Sequence, residues 1–297
     1  VPCASCLVPK ITKMLTTLKS VLIRAKKGRY AVGAFNTSNL EISQAIIEAA
    51  EEMKSPVIIS TSEKAIDYAG LSEISAIVYE LAQKVKVPVV LHCDHGRDLK
   101  IIKSCLDTGR YTSVMIDASH FDYKKNLALT KKIVSWAKPK QVSVEAELGA
   151  IAGVEDYIKS KESFFTDPEQ ARDFVKKTGI DALAVSIGTA HGLAEDIKEE
   201  KLDLKRLEQI EKLTKIPLVL HGASQGIPVS DLKKAIKLGI AKINIDTDLR
   251  LVFSDSLRKT LKNKKIYDPR DILAPSREAV KKKVMQRMRL FGSINKY

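Results

Sequence analysis

The sequence predicts a single-domain α/β protein, a TIM (β/α)8 barrel with extra terminal helices, on three observations. Short β-branched runs alternate with longer amphipathic ones eight times. Most of the short runs are apolar on both faces, as parallel strands covered on both sides require. All five histidines fall where those runs end or just beyond. Eight strand–helix units in about 250 residues are the arithmetic of a barrel. An open doubly wound sheet would carry a Gly-rich phosphate loop after its first strand, and "AFNTSN" is not one.

Strands are expected at 30–35 (YAVGAF), 56–60 (PVIIS), 88–93 (PVVLHC) and 113–117 (SVMID), then at 142–146 (VSVEA), 182–187 (ALAVSI), 217–221 (PLVLH) and 241–245 (AKINI). Pro56, Pro88 and Pro217 open their strands, where a missing donor does least harm. Helical spacing fills the gaps, from "NLEISQAIIEAAEEM" to "DTDLRLVFSDSLRKTLK", and several helices end in Gly. Two connections, 147–166 and 188–202, are long enough to act as lids. Residues 1–13 read as a tag or leader remnant, set apart from a barrel domain over 14–297. Their Cys3 and Cys6 form a CxxC with no second pair, and Cys105 reads as a small buried hydrophobe.

Hydrophobic residues make up 44% and charged residues 29% of the 297, a soluble, globular balance that fits a cytoplasmic enzyme. No apolar run is long enough to span a bilayer. The net charge of +14, from 50 Lys+Arg against 36 Asp+Glu, is spread along helical segments such as "REAVKKKVMQRMRL". A basic barrel that binds nucleic acid is the alternative of a different class, but no compact recognition motif accompanies the charge. The same balance would steer phosphorylated small molecules.

Barrel chemistry sits at the C-terminal ends of strands. Those positions hold Asn36, Ser62, the cluster His92–Asp94–His95, Asp117, His120, Glu145, Glu147, His191, His221, Asn244 and Asp246. Neutral imidazoles converging from several strands suit a catalytic zinc with an open position, and His95, His191 and His221 end three different strands. Cys93 alternates with His92 and Asp94 and is expected in the barrel wall. Asp94 beside a ligand histidine reads either as a carboxylate that orients an imidazole or as a general acid–base. As an acid–base it would need partial burial to raise its pKa toward neutrality. A two-metal hydrolase would be richer in carboxylates, and a serine hydrolase would show a G-x-S-x-G elbow, which is missing. "HGASQG" (221–226) and "NIDTD" (244–248) follow the seventh and eighth strands, where barrels most often hold phosphate on backbone N–H groups.

"HCDHG", "SVMIDASH", "VSVEAELGAIAGVED", "AVSIGTAHG", "PLVLHGAS" and "AKINIDTDLRLVF", in order along the chain, resemble the class II, zinc-dependent fructose-bisphosphate aldolases. The resemblance implies zinc on His95, His191 and His221, with Glu147 as an alternative or outer ligand. It implies Asp94 as acid–base on the C4 oxygen, Glu155 as the residue exchanging the proton of dihydroxyacetone phosphate, and Asn244 as a holder of the enediolate. Asp246 would contact the sugar chain, with Asn36 and Ser62 also touching substrate. Gly192, Gly222, Ser224 and Thr247 would surround the ketose phosphate, often with Na+ or K+. Arg270 would reach the far phosphate from a neighbouring subunit, so the resemblance implies a homo-oligomer, dimer or tetramer. No nucleic-acid or membrane partner is implied. Three departures bear on substrate choice: Ala194 and Glu195 replace a usual Tyr-Lys, Ala152 replaces a Gly, and Gln225 lengthens a turn. Tagatose 1,6-bisphosphate is the competing substrate, and Asp246 favours fructose.

Overall fold

Eight strands close on themselves through parallel ladders, and the elements that flank them explain why. The computed structural model describes residues 15–149, 152–155, 158–160, 164–191, 201–224 and 226–297, with backbone alone at 152–155, 158–160 and 190–191. The set-apart segment 1–13, with its CxxC, lies outside them.

In chain order the elements begin with α1 (Leu18–Gly28), β1 (Val32–Asn36), α2 (Leu40–Met53), β2 (Val57–Ser62), α3 (Glu63–Ala69) and α4 (Leu71–Ala82). They continue with β3 (Val89–Gly96), α5 (Leu99–Asp107), β4 (Ser113–Ile116), α6 (Tyr123–Ala137) and β5 (Ser143–Leu148). Next come β6 (Ala152–Glu155), β7 (Ile158–Ser160), α7 (Pro168–Thr178), β8 (Ala182–Val185) and β9 (Ala190–His191). The chain finishes with α8 (Leu204–Thr214), β10 (Leu218–Leu220), α9 (Val229–Lys237), β11 (Ile240–Ile245), α10 (Thr247–Thr260) and α11 (Pro269–Phe291). The barrel order is β1-β11-β10-β8-β5-β4-β3-β2, so every expected strand is present. Helix starts follow local chemistry: Asn39, Asp98, Asp122 and Asp167 each accept a hydrogen bond from a backbone N–H in the first turn.

Two buried layers separate by strand periodicity. Leu91, Cys93, Val114, Ile116, Val144, Leu183, Val185, Leu218 and Leu220 pack outward against the helices, which puts Cys93 in the wall with Cys105. Val32, Ala34, Ile58, Val90, Met115, Ala182, Ala184 and Val219 form the inner core. That core is continuous with Leu18, Val21, Leu22 and Ala25 of α1, a helix that caps the barrel's N-terminal end. Lys19 of α1 bonds Ser143 through its backbone N–H and pairs with Asp181, while Lys26 donates to the Ile216 carbonyl. At the opposite end the interior turns polar.

The two long connections are not independent loops. β6 pairs antiparallel with β7 and parallel with β9, setting Gly153 opposite His191. None of the described helices is long and apolar enough to cross a membrane.

Candidate metal centre and active site

Alternation along β3 would place Asp94 inward and His95 outward, yet both are buried at the barrel mouth. The reason is a local break: pairing with β4 shifts register between Cys93 and Gly96, and His95 adopts a left-handed backbone at φ 46°. A bulge of this kind re-aims a side chain. Left-handed backbone at a non-glycine residue carries strain of about 1–3 kcal/mol, held here by the surrounding sheet. Gly96 permits the close approach, since a Cβ there would meet Ile102 Cγ1 at 2.6 Å and the Met115 carbonyl at 2.7 Å.

His95 Nδ1 lies 3.1 Å from Asp117 Oδ2, and Asp117 also accepts from Arg97 Nη2 at 2.5 Å and Ser119 Oγ at 2.7 Å. His221, just after β10, has Nε2 at 2.9 Å from Glu145 Oε1. These carboxylates fix the N–H on His95 Nδ1 and on His221 Nε2. The remaining lone pairs, on His95 Nε2 and His221 Nδ1, then point at each other across 2.6 Å. Two acceptors that close need a proton between them or a metal ion beside both, and a carboxylate behind each imidazole is the usual arrangement for metal-ligating histidines. Burial, followed by the neighbouring His95, holds His221 down to about 4, so its ring is neutral as a ligand must be.

Donor atoms of Asp94, His95 and His221 lie within 4.8 Å of one another, as do those of His95, Asp117 and Glu147. Glu147 thus stands near the same histidine. The residues fit a metal: borderline imidazole donors with buried oxygen donors close by suit a zinc-type ion.

Beneath this pair lies a group that sequence reasoning missed. Lys242 on β11 is fully buried, with Nζ at 2.9 and 2.8 Å from the two oxygens of Glu145 and 3.5 Å from His92 Nε2. Burial pushes Glu145 up, but Lys242 and then His221 overcome it and hold the carboxyl at about 2. His92 Nδ1 meets Ser113 Oγ at 2.9 Å, and burial with Lys242 nearby keeps the His92 ring neutral.

Asp94 is gripped from both sides. Asn36 Nδ2 donates to Oδ2 and Asn244 Nδ2 to Oδ1, each at 2.9 Å. Ser62 sits across from it in the β2–β3 ladder. The expectation of a raised pKa is overturned. Burial pushes Asp94 up, but the His92 ring, His95, Lys242 and His221 together outweigh it, and the carboxyl is held well below its ordinary range.

The family model described as "Fructose-bisphosphate aldolase class-II" matches residues 16–296. The chain belongs to that family. Its fructose-bisphosphate aldolase relative from Thermus caldophilus is 48% identical, over 95% of this chain and 100% of the other. One from Geobacillus stearothermophilus is 44% identical, over 95% and 98%. Among solved structures, the YdjI aldolase from Escherichia coli K12 superposes with a TM-score of 0.81 at 37% identity, over 95% and 98%. Fructose-bisphosphate aldolase from Campylobacter jejuni superposes with a TM-score of 0.83 at 26% identity, over 96% and 97%. Class II aldolases are metal-dependent carbon–carbon lyases, and this chain is one of them.

The aldolase barrel brings Asn36, Asp94, His95, Glu147, His221 and Asn244 to one end as buried or nearly buried groups, with Ser62 beside them. Ser224 Oγ accepts from the Asp246 backbone N–H at 3.2 Å, joining the two loops expected at the phosphate. Gly222 has φ 67°, a conformation natural to glycine, and Thr247 opens α10. Asp246 pairs with Arg250 at 2.5 Å. Within one chain Arg270 is not gathered into the centre: its side chain is 88% exposed and turned to Asp268. His120 is exposed beside Phe121. The side chains of His191 and Glu155, and residues Gly192, Ala194, Glu195 and Gln225 entirely, lie outside the described residues.

Proposed function

We propose that this aldolase cleaves fructose 1,6-bisphosphate reversibly to dihydroxyacetone phosphate and glyceraldehyde 3-phosphate, a step shared by glycolysis and gluconeogenesis, with zinc as its metal. The observation that carries this reading is the facing His95–His221 pair, each ring backed by a carboxylate, next to an Asp94 clamped by two amides. His95, His191 and His221 would hold the ion, with Glu147 as the alternative oxygen donor. When bound, zinc supplies a Lewis acid that draws electron density from the substrate carbonyl, a contribution of several kcal/mol.

The chain's own groups do the rest. Asp94, ionised because its surroundings hold it low, accepts the C4 hydroxyl proton. The C4–O bond becomes the aldehyde carbonyl as C3–C4 breaks, and the bond's electron pair stays with the three-carbon ketone fragment. Asn244 and Asn36, which orient Asp94 before the reaction, stand beside the oxygens where charge collects. Glu155 returns a proton to C3. Ser224, Gly222, Gly192 and Thr247 take the ketose phosphate, with Na+ or K+ as its companion. Arg270, exposed on one chain, serves the far phosphate of a neighbouring subunit in a homo-oligomer.

Coupled cleavage assays with fructose and tagatose bisphosphates, with and without chelator, test this. Chelation should abolish cleavage and added zinc restore it, with fructose bisphosphate the better substrate. Equal or faster turnover of the tagatose isomer would move the assignment to that sugar. Separately, Glu155→Gln should slow hydrogen exchange on dihydroxyacetone phosphate by about 10²–10⁴-fold, the range of a lost acid–base group. Exchange at the parental rate would remove Glu155 from its role.

A further inference from the structure

The last long helix, α11, reaches across to both loops assigned above to the ketose phosphate. Arg287 Nε donates to Asp248 Oδ2 at 2.7 Å, and its Nη2 contacts both that same oxygen and the backbone carbonyl of Ser224. The contact is sheltered, with the side chains 18% and 7% exposed for Arg287 and Asp248. Ser224 closes the figure by accepting from the Asp246 backbone N–H. One guanidinium therefore joins the turn after β10 to the first turn of α10.

Asp248, in that first turn, sets a buried negative charge beside N–H groups that would hold a phosphate. Unpaired, it would repel the ligand; paired, it becomes an anchor. Arg287 suits the task because its planar fork can hold a carboxylate and a carbonyl together, whereas a lysine offers a single point charge.

We infer that Arg287 is a positioning residue for the phosphate end of the substrate, fixing the spacing of the two loops and covering the Asp248 charge. It touches no reacting atom. The inference rests on reading these two loops as the phosphate site.

Three variants of the full chain test it: Arg287→Met, Arg287→Lys, and Arg287→Met with Asp248→Asn. Steady-state cleavage of fructose bisphosphate and competitive inhibition by inorganic phosphate supply the readouts. Arg287→Met should raise KM and the phosphate inhibition constant together by about ten-fold, with kcat changed much less. Arg287→Lys should recover part of the loss. The double variant should bind phosphate better than Arg287→Met, because the repelling charge has gone, yet worse than the parent, because the brace has gone. Should Arg287→Met fail to fold, the lysine variant gives the same split. Parental KM and phosphate inhibition in the folded variants would overturn the inference, as would a loss confined to kcat. If the parent does not cleave fructose bisphosphate, the substrate assignment has failed. Protection of each variant from thermal unfolding by inorganic phosphate then still decides the role of Arg287.

Discussion

Replacing Asp94 with alanine should lower cleavage by about 10²–10⁴-fold while the chain keeps its fold and its metal. The carboxylate is the only group at the mouth held by two side-chain amides, Asn36 and Asn244, among the described residues. Removing it leaves those amides to water or to each other, a modest structural change, whereas the C4 hydroxyl loses its proton acceptor. The two histidines retain their own carboxylates, Asp117 and Glu145, so metal content after dialysis should stay near one ion per chain. Stopped-flow cleavage together with metal analysis gives both numbers. Full activity, or loss of activity that merely tracks loss of metal, would contradict Asp94 as the acid–base.

The second large effect is expected at Lys242. Lys242→Met should destabilise the chain by about 3–5 kcal/mol, because it strands Glu145 as an uncompensated charge in a fully buried site. Adding Glu145→Gln should recover much of that stability, since an apolar group opposite a neutral amide costs far less than one opposite an anion. Metal affinity should respond differently. Both the single and the double variant loosen the partner of His221 Nε2 and should weaken binding by about 10–100-fold in chelator competition. Denaturant melts of the metal-free chains isolate the first effect, and chelator titration the second. A single variant as stable as the parent would mean that Glu145 takes up a proton on its own.

Legibility in the sequence turns on which signals are periodic. Eight strands were legible because their runs are short, β-branched and punctuated by proline or glycine. The histidine pair at the barrel mouth was legible because histidine is scarce and strand ends are where barrels keep chemistry. The interior charge pair was equally available and went unread. In "VEAEL" and "AKINI" polar residues recur at alternate positions within otherwise apolar strands, so Glu145, Glu147, Lys242 and Asn244 share the inward face. Those strands are therefore not apolar on both faces, as a glance at their composition suggests.

Other features left no local trace. The bulge that turns His95 inward depends on register against β4, and the left-handed backbone is carried by a histidine rather than by a glycine. Arg287 looks like any basic residue on an amphipathic helix until α11 is placed against the two loops. The state of Asp94 is likewise a tertiary property, set by three imidazoles and a lysine that come from β3, β11 and the end of β10.

The helix that closes the N-terminal end of the barrel has a consequence for traffic. Leu18, Leu22 and Ala25 are themselves fully buried there, and the inner core of the strands is continuous with them. Among the described residues, this apolar plug separates the polar centre from that end of the barrel. Ion and sugar are therefore expected to arrive from the same side, the polar mouth. The expected order of filling is metal before sugar, with the three-carbon products leaving in the direction from which the six-carbon substrate came.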